Sequence, residues 1–274
     1  MLRQLLHSVA SARTTRAFRA CLTALSCFGC GDQVRALDDS SYEAARETMV
    51  REQIVARGIR DPRVVEAMRL VPRHVFIPQA ERDRAYIDAP VPIGEGQTIS
   101  QPYIVALMTE LVRPQSSDHV LEVGTGSGYQ AAVLARLVAH VYTIELEETL
   151  GRRAQAVLSE QKSDNVTVRV GDGYGGWPEH APFDIIIVTA APEHVPQPLI
   201  DQLKPGGRLI VPVGPRFTVQ QLQLLEKDAA GEVRTRNVSP VMFVPLRRPG
   251  LGVIRCREKK TVETQHCSIA LLLW

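Results

Sequence analysis

The chain is poor in aromatic residues, lacks cysteine across its centre, carries almost no net charge and has no long apolar run. Each of these absences excludes something. Aromatic residues make up only 5% of the 274 residues, so stacking platforms for nucleic-acid bases are scarce. A formal charge of +2 is too small by itself to argue for binding to nucleic acid or an anionic membrane. No apolar stretch approaches the ~20 residues that span a bilayer. Cys21, Cys27 and Cys30 lie near the start, Cys256 and Cys267 near the end, and none lies between them. The central region therefore depends on neither disulfides nor a cysteine-held metal. Cys27-Phe28-Gly29-Cys30 has C-x-x-C spacing, but no strand–helix context of a redox site surrounds it. His74, His119, His140, His180 and His194 show no His-x-x-x-His ligand spacing, and no metal site is expected.

What remains is the composition of an ordinary globular protein, with 45% apolar and 23% charged residues, enough for one large core. Residues 1–39 read as an N-terminal extension. Its basic residues Arg3, Arg13, Arg16 and Arg19 are unaccompanied by any acid before Asp32, and Ala20 to Gly29 form a short apolar stretch. A secretory or lipoprotein leader, a disordered extension, and translation from an upstream start codon that is not the real one are all open readings. At the other end, residues 247–274 read as a basic tail. Arg247, Arg248, Arg255, Arg257, Lys259 and Lys260 stand there against Glu258 and Glu263, before an apolar Leu271-Leu272-Leu273-Trp274 tip.

Between these ends, residues 40–246 form the expected domain. Helical spacing runs from Ser40 to Arg57 and stops at Gly58. Asp61-Pro62 caps and opens a second helix through Leu70. Val71 to Pro78 reads as extended, Ala89 to Gln97 as loop, and Pro102 opens a helix to about Val112. Strands are then expected near 119–123, 140–145, 166–170, 183–188 and 207–213, with helices near 128–138, 147–161 and 197–203. Two β-rich segments, 218–226 and 233–246, read as a hairpin at the sheet edge. This alternation predicts an α/β fold, a doubly wound and mostly parallel sheet with a C-terminal hairpin.

The most informative run is Val120-Leu121-Glu122-Val123-Gly124-Thr125-Gly126-Ser127-Gly128, an apolar strand running into alternating glycines before a helix. Glycines permit a tight turn and close backbone approach to a ligand, and the helix after them directs free N–H groups at the same place. Val141 to Glu145 reads as the next strand and ends on an acid placed to grip ribose hydroxyls. Gly171-Asp172-Gly173 after the third strand suits an adenine amino group. A nicotinamide site would carry G-x-G-x-x-G where this chain has G-x-G-x-G, and it would not need the third acid. The set fits S-adenosylmethionine better.

Further stretches make the likeness specific. Pro72-Arg73-His74-Val75-Phe76, Gly96-Gln97-Thr98-Ile99-Ser100-Gln101-Pro102-Tyr103, Ala181-Pro182-Phe183-Asp184, Val188-Thr189-Ala190-Ala191-Pro192 and Phe243-Val244-Pro245-Leu246 accompany the glycine loop. From about Tyr42 to Leu246 the chain resembles the protein-L-isoaspartate O-methyltransferases. That resemblance implies a Rossmann-like class I S-adenosylmethionine-dependent fold and methyl transfer to the free α-carboxylate of L-isoaspartyl, and also D-aspartyl, residues in damaged proteins. It implies a cytoplasmic monomer that needs neither nucleic acid nor membrane. Cofactor contacts would fall to Glu122, Gly124, Thr125, Gly126, Gly128, Glu145, Asp172 and Gly173. Substrate contacts would fall to Thr98, Ile99, Thr189, Ala190 and Ala191, with Ser100 orienting the reacting carboxylate.

Residue type alone allows other roles. Ser100 could merely cap the helix at Pro102, Glu145 and Asp172 could be strand-end acids capping the helices that follow, and the alanines could serve close strand–helix packing. Other functions fit less well. An adenine-amino methyltransferase would carry Asn/Asp-Pro-Pro-Tyr/Phe where this chain has Thr189-Ala190-Ala191-Pro192. A methyltransferase for RNA or a small molecule would keep the cofactor site but leave Thr98-Ile99-Ser100 without a purpose. A catalytically silent scaffold would not need the full residue set, and an oxidoreductase would need an acid–base pair that is not evident.

Overall fold

The computed structural model describes residues 39–249, so the expectations for the N-terminal extension and for the tail beyond residue 249 lie outside the described residues. Helix α1 (Asp39–Thr48) runs on through a wider turn at Met49–Val55 and stops where Gly58 takes a φ of 102°. Asp61 caps α2 (Pro62–Leu70), accepting the Arg63 N–H at 2.9 Å. The next segment departs from its extended expectation. Pro72 opens a tight 3-10 turn, Arg73–Phe76, closed by the Val75 N–H on the Pro72 carbonyl at 3.1 Å.

A second departure matters more for function. Residues 89–97, expected as loop, contain strand β1 (Val91–Gly94), which pairs antiparallel with β2 (Gln97–Ile99). Pro92 and Gly94 disguise the strand, because both are rare in regular ladders. Glu95 and Gly96 between the strands both have positive φ, 52° and 67°, as a tight two-residue hairpin requires. The ribbon delivers Thr98 and Ile99 to one place just before α3 (Pro102–Leu111).

The main sheet has the order β5-β4-β3-β6-β7-β8-β9. Its strands are β3 (His119–Val123), β4 (His140–Glu145), β5 (Val166–Val170), β6 (Phe183–Val188), β7 (Leu203–Val213), β8 (Gln220–Lys227) and β9 (Val233–Val241). The first five in spatial order are parallel, and β8 and β9 close the edge antiparallel. Helices α4 (Tyr129–Ala135), α5 (Glu148–Glu160) and α6 (Gln197–Asp201) join successive strands. Between β5 and β6 only short 3-10 turns intervene. Strand β7 begins four residues earlier than expected, its pairing with β6 interrupted near Pro205-Gly206-Gly207.

Strand periodicity sorts the core. Val120 and Val141 pack with the helices of one face, while Leu121 and Val123 join Phe183, Trp177 and Leu199 on the other. The chain winds outward from β3 through β4 and β5, then returns to lay β6 on the other side of β3. That reversal opens a crevice beyond the carboxyl ends of β3 and β6, where such sheets bind ligands. No helix among the described residues is long and apolar enough to cross a membrane.

Candidate active site

A cavity occupies that crevice. Its floor is the glycine loop, Gly124 to Ser127, with Ile144 and Glu145 from β4, Gly173 after β5, and Thr189 and Ala190 after β6. The ribbon contributes Gln97 to Ser100 on one side, and Val244 to Arg247 cross over as a strap. Glu145 and Arg247 are the only charged side chains among the lining residues.

The floor is bound together by side chains acting on backbone. Glu145 accepts the Gly126 N–H at 2.7 Å and the Glu147 N–H at 2.9 Å. Burial pushes its carboxyl above the ordinary range, and these N–H donors pull it back. Thr189 donates to the carbonyls of Val123 (3.1 Å) and Gly124, clamping the ends of β3 and β6. This clamp dictates glycine at 124: φ is 100°, and a Cβ would lie 2.4 Å from Thr189 Oγ1. Gly173 is equally constrained, since a Cβ there would stand 2.5 Å from Val123 Cγ1. The cradle is thus kept free of side chains where a ligand would lie against backbone.

Several expected residues sit elsewhere. Glu122 does not line the cavity. It is fully buried on the helix-packed face, like Val120, and Thr143 Oγ1 hydrogen-bonds its Oε2. Thr143 in turn meets Thr125 Oγ1 at 2.6 Å, and Thr125 does line the cavity. Burial first, and then the charge of Glu145, raise the Glu122 carboxyl to about 8 against the hydrogen bond from Thr143. Gly128 packs against Leu158 and Ala154 rather than the cavity. Asp172 accepts the Tyr174 N–H at 2.9 Å as a turn cap, and Ala191 is engaged with the strap. Thr98, Ile99, Ser100, Gly124, Thr125, Gly126, Glu145, Gly173, Thr189 and Ala190 are brought together in the cavity wall.

Ser100 answers a question the sequence left open. Gln101, not Ser100, stands at the N-cap of α3 and makes no side-chain capping bond. The Ser100 hydroxyl has no hydrogen-bond partner among the described residues, and Ser100 lines the cavity.

Comparison with known proteins agrees with this architecture. Residues 44–249 match the family model for protein-L-isoaspartate(D-aspartate) O-methyltransferase. The chain belongs to this family. It is therefore an S-adenosylmethionine-dependent methyltransferase. A protein-L-isoaspartate O-methyltransferase of Syntrophobacter fumaroxidans is 56% identical over 245 residues, covering 86% of this chain and 98% of its own. One from Nitrosospira multiformis is 55% identical over 232 residues, covering 84% and 97%. Among solved structures, the Plasmodium falciparum β-aspartate methyltransferase, crystallised with S-adenosyl-L-homocysteine, superposes with a TM-score of 0.65 at 26% identity, over 74% of this chain and 98% of that one.

Sequence reasoning missed the roof. Arg247 forms an ion pair with Glu147 at 2.7 Å, joining the strap to the loop after β4. The strap is also stitched to the end of β6: the Ala191 N–H donates to Val244, and the Leu246 N–H to Ala191. Phe243-Val244-Pro245-Leu246 was legible as a family stretch, but nothing local placed it across the cavity. Arg73 was equally opaque. Its guanidinium is fully buried above the Tyr129 ring, 5.0 Å from the centroid, and burial lowers it to about 10.

Proposed function

We propose that residues 40–246 form the catalytic domain and that this cavity methylates the free α-carboxylate of isoaspartyl residues, and D-aspartyl ones, in damaged proteins. The uncommitted Ser100 hydroxyl at the cavity wall carries the reading. A carboxylate with an ordinary pKa near ~4 is already ionised at neutral pH, so no general base is needed. Ser100 donates a hydrogen bond to one carboxylate oxygen and leaves the other free to attack. The cradle of Gly124, Gly126 and Gly173, with the Glu145 carboxylate for ribose hydroxyls, suits S-adenosylmethionine, which supplies an electrophilic methyl group when bound there. The carboxylate oxygen would take that methyl group as the electron pair of the sulfur–carbon bond left with sulfur, so no residue of this chain would have to move a proton. Thr98, Ile99 and Ala190 shape the space beside Ser100, and the cavity walls exclude water from the neutralising charges. The resulting methyl ester then loses methanol to the neighbouring amide, giving a succinimide that hydrolyses in part to normal aspartate.

This reading carries a cytoplasmic location, where S-adenosylmethionine is made, and a monomeric enzyme acting without nucleic acid or membrane. Methyl transfer from labelled S-adenosylmethionine to matched peptides tests it. Base-labile label on the isoaspartyl peptide alone is expected. Ser100→Ala should lose about 10–100-fold in kcat/KM, the worth of a hydrogen bond to a charged group (~1.5–3 kcal/mol). Equal labelling of the normal aspartyl peptide would refute the substrate assignment.

A further inference from the structure

The strap that roofs the cavity continues into an apolar rim that the fold leaves uncovered. Phe217, Val219 and Met242 are 82%, 60% and 56% exposed, and the chain gathers them in one place. Gln220 at the start of β8 pairs with Val241 at the end of β9, so the antiparallel register brings Val219 beside Met242. Phe217 lies two residues upstream in the turn between β7 and β8. It adopts a φ of 58°, a left-handed conformation that bulky side chains rarely take. An exposed phenyl ring held in a strained turn gives the fold no burial in return, and such outliers concentrate at binding sites.

The rim and the active site are one body. Gln220, 1% exposed, accepts the Phe243 N–H at 2.8 Å and donates to the Pro215 carbonyl at 3.4 Å. The same turn is pinned to the end of β6, where Gly214 N–H meets the Pro192 carbonyl at 3.1 Å and Arg216 lies 3.6 Å from Glu193. Immediately after Phe243, residues 244–247 line the cavity.

We propose that Phe217, Val219 and Met242 are a docking surface for the substrate polypeptide, holding apolar side chains that flank the isoaspartyl residue. The inference rests on the isoaspartyl reading above and specifies its substrates further. A damaged residue enters this cavity with the chain on either side of it, so any apolar side chains flanking it meet the surface beside the cavity. An extended chain advances about 3.3–3.6 Å per residue, so residues a few places from the reacting carboxylate pass over the rim that continues from the strap. Continuity between rim and cavity selects substrate over other occupants of an apolar patch.

The test uses two isoaspartyl peptides, one with Leu and Phe within three residues on both sides and one with Ser and Gly there. Wild-type full-length enzyme is compared with Phe217→Asn, which tolerates the left-handed turn, and with Phe217→Asn/Val219→Thr. The wild type is expected to show a KM about 5–10-fold lower for the apolar-flanked peptide, consistent with partial burial of one large side chain. The double variant should raise that KM to the value for the polar-flanked peptide, leaving kcat and the KM for S-adenosylmethionine unchanged. Equal KM values for the two peptides in the wild type would overturn the proposal, as would a variant that slows both peptides alike. A drop in mass on ultracentrifugation with no change in KM would assign the patch to a second copy and also overturn it. If wild type methylates neither peptide, the isoaspartyl reading itself fails, which a lost preference among methylated peptides does not imply.

Discussion

The floor of the cavity is tied together by side-chain bonds onto the backbone of neighbouring parallel strands, whereas its roof hangs on one short edge segment and a partly exposed ion pair. Below, Thr189 clamps Val123 and Gly124, and Glu145 holds Gly126. These partners come from adjacent strands, so the sheet register places them. Above, the strap meets the body through edge hydrogen bonds at Ala191 and through Arg247 on Glu147, with 20% and 32% of those side chains exposed. Bonds between strands held in register fix a geometry, while exposed ion pairs are screened and exchange readily with water. The floor is therefore the preorganised part, and the roof is the part held by fewer and more exposed contacts.

The largest effect should come from breaking the floor. Gly124→Ala places a Cβ 2.4 Å from Thr189 Oγ1 at a φ of 100°, and Thr189 cannot retreat without losing both carbonyl bonds. Binding of S-adenosyl-L-homocysteine by calorimetry should weaken at least ~100-fold, as expected where side-chain overlap and backbone strain combine. Adding Thr189→Ala removes the overlap but not the strain, so partial recovery is expected. Full binding by the single variant would mean that the floor is not preorganised.

A second probe reaches beneath the floor. Glu122, raised to about 8 from 4.5, binds a proton in the folded protein that the unfolded chain releases. Between those values the folded state holds more protons, so stability falls as pH rises from about 5 to 8. Glu122→Gln keeps the shape without the titration. Urea midpoints for the two proteins should converge near pH 5 and separate toward pH 8, with the variant more stable. Parallel pH profiles would show that the Glu122 carboxyl is not the group responsible. Activity should change less than in Gly124→Ala, because the hydrogen bonds of Glu122 reach the cavity through Thr143 and Thr125 and not directly.

The floor was also the legible part. Apolar runs ending in glycine or acid mark the carboxyl ends of β3 and β4, an unbroken apolar run marks β6, and the structure puts those ends within a residue of expectation. Misplaced side chains had local causes. Glu122 stands next to the glycines in sequence, yet alternation along β3 turns it to the face of Val120. Asp172 accepts the Tyr174 N–H with one oxygen of its carboxylate, at the turn that it begins. The roof could not be read because its contacts join residues far apart in the chain, Arg247 to Glu147 and Val244 to Ala191. The β1–β2 ribbon escaped notice because Pro92 and Gly94 break the strand pattern.

The smallest effect should come from the roof, and its size tests the comparison itself. Arg247→Ala removes the ion pair with Glu147 while leaving the strap's hydrogen bonds to Ala191 in place. A partly exposed pair is worth about 0.2–1 kcal/mol, so the KM for S-adenosylmethionine should rise only about 1.5–5-fold. Because salt screens such a pair, wild-type KM should drift toward that of the variant as ionic strength rises from 0.05 to about 0.5 M, where the Debye length falls well below ~10 Å. A loss near that of Gly124→Ala, insensitive to salt, would make the roof as structurally fixed as the floor. A faster release of product in the variant, with the methyl-transfer step itself unchanged in single-turnover measurements, would instead locate the yielding element at this one contact.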